Sequence, residues 1–400
     1  MQSLELSPQQ KKECGELTKR LVDIPSSAND SPRIYQFTFD YLKEKGLPVK
    51  KQENPLTGLP NLYVKLGNGN GPKVLLNGHL DTIQPITNPK KRTTPRERGG
   101  KIYGLGAADM KGGCASAIVS TLALSEQELN GTLFLSLVHG EEAPFSLGSH
   151  TLIKEFGFKD YDLVIVTEPS PILARNDFCT VHKRVHPTHF PTPIIGAMGR
   201  IMYYIEFFGK SVHASHPSQG INALEDAAKV INMLGTHKPQ STSKMEKGGY
   251  TVLNIDGGDP SFTVPSYCEL LVNRNISLGE KEKDVTRELE RIVRELKLRS
   301  DVKVKERPMP DKNVAYRPYL FEKSDYIDKF MEVISKEHDS MCKFTTSSVG
   351  DFNLFATRTK VPTLVFGPGG GNIHSPHEYV EKKQIVQTTE YLLNFFGKVF

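Results

Sequence analysis

Residues 111–142, KGGCASAIVSTLALSEQELNGTLFLSLVHGEE, decide the fold class. As far as Leu129 the stretch is small and aliphatic with polar residues at helical spacing, which predicts a helix. From Gly131 onward, GTLFLSLVHG is an unbroken apolar run bounded by a turn, which predicts a strand. A strand without polar alternation needs cover on both faces, as in a parallel sheet between helices. The same reading extends outward. KVLLNGHLD (73–81) and YDLVIVTEP (161–169) are two more buried strands, LGSHTLIKEFG (147–157) is a short helix, and NLYVKLG (61–67) is a strand lying across a GNGNGP turn from KVLLNGHLD. Upstream, SPQQKKECGELTKRLVDIP (7–25) and SPRIYQFTFDYLKEKG (31–46) read as helices that open on Ser-Pro. Alternating helices and strands predict an α/β domain with a mostly parallel sheet.

From about residue 197 the order changes. MGRIMYYIEFFGKS (198–211), NALEDAAKVINML (222–234), GGYTVLNIDGG (248–258), PSYCELLVNRNIS (265–277), KEKDVTRELERIVRELKLRS (281–300) and VKVKERP (302–308) read as βαββαβ. That is the order of a ferredoxin-like unit. A helix at 324–338, a strand at 359–369 and a helix at 381–400 then restore the earlier style. The expected organisation is a domain of residues 1–197 and 311–400, with a second domain, 198–310, inserted in it. HKRVHPTHFPTP (182–193) reads as a linker; Pro187 interrupts any helix that would align His182, His186 and His189.

A chain of 400 residues has room for two such domains. Its hydrophobic fraction of 38% and charged fraction of 24% describe a globular chain and exclude a disordered or fibrous one. A net charge of +5, from 51 basic and 46 acidic residues, is too mild to point to nucleic acid. There is no long apolar run and no signal-peptide pattern at the start, so neither a membrane nor export is expected and the cytoplasm is the expected compartment. Five widely spaced cysteines, Cys14, Cys114, Cys179, Cys268 and Cys342, form no CxxC pair, and no disulfide framework or thiolate metal site is expected. Any metal would therefore use histidines and carboxylates.

Such residues gather where predicted strands end, the place where open α/β sheets put their sites. His79 and Asp81 close one strand, two residues apart, so that Asp81 can hold the His79 imidazole. Asp109 lies in GLGAADMKGG, which fits neither a dinucleotide fingerprint nor a phosphate loop. Glu141 and Glu142 close a second apolar strand; adjacent acids there repel unless a cation or a division of labour compensates. Glu168 closes a third. His374 sits in the Gly-rich stretch GPGGGNIHSPHEYV. Together His79, Asp109, Glu142, Glu168 and His374 form a nitrogen and oxygen donor set able to hold two divalent cations if one carboxylate bridges them. No GxSxG or comparable nucleophile signature competes.

In order along the chain, NGHLDT, YGLGAADMKGG, HGEEAPFSLGS, VTEPS, FFGKSVHASHPSQGINAL and NIHSPHEYV resemble the family of acetylornithine deacetylase, succinyl-diaminopimelate desuccinylase and the related zinc carboxypeptidases and aminoacylases. The resemblance covers nearly the whole chain and makes the inserted domain the family's lid or dimerisation domain. It implies two divalent metal ions, zinc first and cobalt as an alternative. His79 and Glu168 would hold one, Glu142 and His374 the other, with Asp109 between them and a cis peptide bond after Asp109. It further implies that Asp81 orients His79 and that Glu141 is the general base. His213, in GKSVHAS, would reach a partner subunit's site to stabilise an oxyanion, in a homodimer formed through the lid. Arg274, in VNRNIS, is either a clamp for a substrate carboxylate or a surface arginine on an edge strand. Phe262 stands where acetylornithine-type relatives have asparagine, which puts the substrate in doubt; His377 and His139 also depart from the pattern. The implied activity is deacylation of an N-acyl amino acid. A metallo-dipeptidase or carboxypeptidase of the same family is the alternative, and a non-catalytic binding or dimerisation module the remote one.

Overall fold

The computed structural model describes the chain apart from residues 1–4, 28–31, 56, 85–93, 144, 180–189, 191, 240–244, 246–247, 259–260, 310–314 and 337–341. His182, His186 and His189, with most of the linker expected around them, lie outside the described residues. The chain forms two compact units, Met1–Ala197 with Tyr319–Phe400, and Met198–Pro318. The second unit ends later than residue 310 because Tyr316 is still tied to it. Arg200 donates its backbone N–H to the Tyr316 carbonyl at 2.8 Å and sets its guanidinium 5.2 Å from the Tyr316 ring.

The larger unit is built on a ten-stranded sheet. Its order is Lys50–Glu53, Pro60–Leu66, Thr132–Val138, Lys73–His79, Leu163–Val166, Thr363–Val365, Ile194–Ala197, Cys342–Thr346 and Ala174–Cys179, with Tyr319–Leu320 paired to Ile194–Ala197. The middle strands Thr132–Val138, Lys73–His79, Leu163–Val166 and Thr363–Val365 run parallel. Three of these four are buried along their whole length, as their unbroken apolar runs require. Each Leu or Ile so buried contributes roughly 1.5–3 kcal/mol of transfer free energy. Helices Pro8–Asp23, Gly112–Ser125 and Lys382–Val399 pack on one another in one layer, and Leu147–Phe156 packs with Asp351–Thr359 in another group. The first helix begins as its Ser-Pro start predicts: Ser7 Oγ accepts from the Gln10 N–H at 3.2 Å while the Gln10 side chain accepts from the Ser7 N–H at 2.9 Å.

Two expectations change. The strands on either side of the GNGNGP turn do not pair with each other; Pro60–Leu66 runs antiparallel to Thr132–Val138, which lies between them. The apolar 132–138 run needs a neighbour on each side, and the glycine-rich turn is long enough to step over it. The expectation of no disulfide also fails at one place. Cys342 is disulfide-bonded, and the residue opposite it across the antiparallel pair is Cys179. Cys14, Cys114 and Cys268 are free and buried.

A small antiparallel sheet, not visible in the sequence pattern, joins Gly370–Gly371, Tyr379–Glu381, Lys101–Tyr103 and Arg96–Arg98. It ties the segment leading into Asp109 to the segment following His374.

The smaller unit has the predicted βαββαβ order. Strands Gly199–Phe208, Tyr250–Gly257, Tyr267–Ile276 and Asp301–Glu306 form an antiparallel sheet with Tyr250–Gly257 and Asp301–Glu306 at its edges. Alternate residues of Tyr267–Ile276 are buried against helices Ala223–Thr236 and Glu282–Glu295. No helix among the described residues is long and apolar enough to cross a membrane.

Candidate active site

The sheet of the larger unit carries the site at the carboxyl ends of its parallel strands. His79 is the last residue of Lys73–His79, and Glu141, Glu142 and Glu168 follow the ends of the strands on either side. Asp109 enters from the turn before helix Gly112–Ser125. That helix can approach because Gly113 has no side chain: a Cβ there would collide with the carbonyl oxygen of Thr167, next to Glu168. The Asp109–Met110 peptide bond is cis, as the resemblance implies. His374 comes from the loop between the last two segments of the small sheet.

Asp109 is the centre of the arrangement. Its Oδ1 lies 3.3 Å from His79 Nε2 and its Oδ2 lies 3.1 Å from His374 Nε2. Glu168 Oε1 stands 3.3 Å from His79 Nε2, and Glu142 Oε1 stands 3.1 Å from His374 Nε2. The sets His79–Asp109–Glu168 and Asp109–Glu142–His374 thus share the two oxygens of one carboxylate, and in each the donor atoms lie within 4.8 Å of one another. His79, Glu141 and Glu142 make a third set by the same measure. His79 Nε2 is buried with no hydrogen-bond partner. A buried ring nitrogen left open toward two carboxylates is what a cation site requires, so the residues fit two divalent metal ions.

The electrostatics agree. Burial, and then the neighbouring Asp109 charge, pushes Glu168 up to about 8 and raises Glu142. Burial likewise holds Glu141 well above the ordinary carboxylate range. Burial works to raise Asp109 too, but the adjacent His374 and His79 rings outweigh it and hold its carboxyl low. His374 is pushed up to about 11, first by Asp109 and then by Glu142. Crowded acids that keep protons or borrow them from histidines mark a site short of positive charge, which divalent cations would supply.

The structure sets Asp81 beside the His79 ring, as expected of an orienting residue, but mainly through its main chain. The His79 Nδ1 atom meets the backbone carbonyl of Asp81 at 3.0 Å, while the Asp81 carboxylate stands off at 3.7 Å. That carboxylate accepts instead from the backbone N–H groups of Glu141 at 3.2 Å and Glu142 at 3.0 Å. The chain turns immediately after His79, so Asp81 orients the ring with its main chain and the Glu141–Glu142 loop with its side chain.

The smaller unit holds the remaining expected residues. His213 is exposed, with Nδ1 at 2.7 Å from Ser215 Oγ. Phe262 is 81% exposed and sits beside the His213 strand segment, its carbonyl accepting from the Ala214 N–H at 2.9 Å. Arg274 is neither a free clamp nor a surface arginine. It is fully buried on the helix-covered face of its strand, with Nη2 at 2.6 Å from Glu280 and 3.4 Å from Glu288 and its guanidinium 5.2 Å from the Tyr250 ring. Alternation puts it in line with Cys268, Leu270 and Val272, which are core residues.

Further buried groups that the sequence assigns no role lie beside the cluster. Glu378 is buried and binds the Asp109 turn, and burial pushes it up to about 7. Gly350 lies against Glu141, and Asp351, also buried, is pushed up to about 6 by burial. The only signal for Glu378 was its place in NIHSPHEYV, four residues after His374. Cys114 lies under the site, its Sγ donating to the His79 carbonyl at 3.0 Å; burial pushes its thiol up to about 12, which leaves it inert as a nucleophile.

Among known proteins, the chain is 24% identical to an acetylornithine deacetylase from Buchnera aphidicola subsp. Acyrthosiphon pisum (strain APS), over 96% of this chain and 97% of that one. It is also 24% identical to a succinyl-diaminopimelate desuccinylase from Paracoccus denitrificans (strain Pd 1222), over 96% and 98%. In fold it resembles a tripeptidase from Staphylococcus aureus subsp. aureus Mu50, with a TM-score of 0.74 at 20% identity over 97% of this chain and 98% of that one. A metallo-carboxypeptidase of the M20 family from Sulfolobus solfataricus gives a TM-score of 0.73 at 14% identity over 96% and 98%. Residues 75–398, the span that contains every donor of the bridged cluster, match peptidase family M20/M25/M40, and the chain belongs to that family.

Proposed function

We propose that this metal-dependent amide hydrolase removes the acyl group from an N-acyl amino acid, with Glu141 as general base. The observation that carries the reading is the sharing of Asp109 between two histidine–carboxylate pairs with a further carboxylate, Glu141, beside them. Two divalent cations, zinc foremost, held by His79 and Glu168 on one side, Glu142 and His374 on the other and Asp109 between, would polarise the scissile carbonyl and acidify a water. Glu141 does not belong to either histidine–carboxylate pair, so its carboxylate is free to take the proton of the attacking water and to return it to the departing amine. Asp81, through the two amides it holds, fixes the loop from which Glu141 and Glu142 project.

We infer a homodimer through the smaller unit, with His213 serving the partner's site as an oxyanion donor. Support comes from the edge strand Tyr250–Gly257, which exposes Leu253 at 51% and Ile255 at 48% along an unpaired rim. Light scattering tests this: a strict monomer at assay concentration would leave His213 without its assigned role.

The experiment for the activity is amine release from a panel of N-acetyl and N-succinyl amino acids and simple dipeptides, first with chelated enzyme and then after adding zinc or cobalt. Metal-restored cleavage of an N-acyl amino acid is the expected result. Cleavage of dipeptides alone would move the reading to a peptidase of the same family, and silence across the panel in a metal-loaded enzyme would overturn it.

A further inference from the structure

Asp109 has to present one oxygen to each histidine, so the turn that carries it has to be held in three dimensions. Backbone bonds bracket the turn, Ala107 donating to the Gly104 carbonyl at 3.1 Å and Lys111 to that of Gly106 at 2.9 Å, but Asp109 and Met110 between them have non-helical dihedrals. A single side chain from the far end of the sequence closes the gap. Glu378 Oε1 accepts from the N–H of Ala108 and of Asp109, each at 2.9 Å, and its Oε2 accepts from the N–H of Gly106 at 3.0 Å. The Glu378 main chain adds a fourth link, its carbonyl accepting from the Gly104 N–H at 3.0 Å.

Glu378 is 1% exposed. Lys111, a buried lysine nearby, turns its Nζ to the Ile24 carbonyl at 2.9 Å and leaves the carboxylate to the amides. Three amide N–H groups over four residues, all donating to one side chain, define the path of the turn. The next residue, Tyr379, pairs with Tyr103 in the small sheet, which fixes where Glu378 starts from. His374 lies on the same loop, four residues before it. One carboxylate therefore couples the two chain segments that deliver Asp109 and His374.

The structure assigns Glu378 as the positioning residue of the bridging ligand: through the amides of Gly106, Ala108 and Asp109 it sets the orientation of the Asp109 carboxylate and its separation from His374. Glu378 belongs to none of the donor sets of the site and acts on them through the main chain. A glutamine in its place offers one accepting oxygen and turns an N–H₂ group toward the remaining amide donor, which breaks the cradle while nearly keeping its volume.

The assignment rests on the two-cation reading, so metal binding by the wild-type chain is measured first; failure there would count against that reading and not against the cradle. The test compares wild type, Glu378→Gln and Glu378→Asp for zinc affinity by competition with a chelator, for the visible spectrum of the cobalt-substituted protein, and for kcat and KM. In Glu378→Gln the expected results are a fall in zinc affinity of about tenfold to a hundredfold, a changed cobalt spectrum, and a loss in kcat that exceeds any change in KM. Glu378→Asp, which keeps the charge on a shorter arm, is expected to recover part of each. Unchanged affinity and an unchanged cobalt spectrum in Glu378→Gln would overturn the assignment. So would recovery of both variants unfolded in saturating zinc, because Glu378 would then hold the fold and not the ligand.

Discussion

The Glu141 carboxylate lies against the backbone of Gly350: a Cβ on that glycine would stand 2.7 Å from Glu141 Oε1 and 3.0 Å from Phe352 Cε1. The backbone at Gly350 is extended, so any residue could adopt it, and the requirement for glycine there is one of space alone. Gly350→Ala is expected to push the Glu141 side chain aside, lowering kcat by roughly tenfold to a hundredfold with zinc content unchanged. Steady-state kinetics and metal analysis of the purified variant check it; full activity would show that Glu141 has room to yield without loss.

Removing the base itself is the sharper case. Glu141→Gln is expected to lower kcat by about a hundredfold or more while both metals still bind, since Glu141 lies outside the two histidine–carboxylate pairs that share Asp109. Turnover within a few-fold of wild type would reject the role given to it.

The two halves of the donor set differ in exposure. The His79 side chain is 1% exposed and that of His374 is 48% exposed. Dialysis against a chelator is therefore expected to remove the ion on the His374 side first, in two resolved steps followed by metal analysis. Restoring free metal to a hundred times its Kd should add about 2.7 kcal/mol to the stability of the stripped protein. A melting temperature indifferent to zinc, cobalt and manganese would speak against any metal site.

His139 is a buried histidine against Tyr35, with neither ring nitrogen hydrogen-bonded. Burial lowers it to about 4. The unfolded chain takes up a proton near the ordinary histidine value while the folded chain does not, so stability is full above about pH 6.5 and is lost as pH falls towards 4. His139→Phe in the metal-free protein is expected to flatten the decline between those values, the largest gain being about 3 kcal/mol. Parallel pH profiles of melting for variant and wild type would disprove it.

Phe262 holds a left-handed backbone conformation, with φ of 55°, at 81% exposure. A bulky residue pays about 1–2 kcal/mol for that conformation, and asparagine tolerates it better. Phe262→Asn is expected to raise the melting temperature of the protein. An accompanying rise in KM for substrates with apolar groups would show that the ring has a contact to lose, whereas an unchanged KM would leave it without a role in binding.

Much of this protein is written in residues whose behaviour is local. The LVIV and TLFLSLV runs announce buried parallel strands because nothing else tolerates such sequences, and Ser7 with Gln10 marks a helix start by its own hydrogen bonds. The clustering of His79, Asp109, Glu142, Glu168 and His374 is legible for a related reason: acids and histidines at the ends of apolar strands have few other uses. What stayed hidden depends on register between distant segments. The small sheet is made of short, glycine-bearing or charged pieces that carry no periodicity. Cys342 faces Cys179 only once two strands are aligned. Arg274 looks like a ligand clamp until alternation places it among Leu270 and Val272, and Glu378 gains its meaning from three amides far away in the sequence.

Ala197 and Tyr319, the last residue before the smaller unit and the first after it, are direct partners in an antiparallel pair. For the larger unit, residues 198–318 therefore amount to the loop of a hairpin, and a two-residue turn such as Asn-Gly could bridge the same gap. Entry and exit side by side make the smaller unit a replaceable cartridge on a two-wire connector. Two splice points would thus suffice to exchange residues 198–318, His213 among them, with the bridged donor cluster of the larger unit left in the chain.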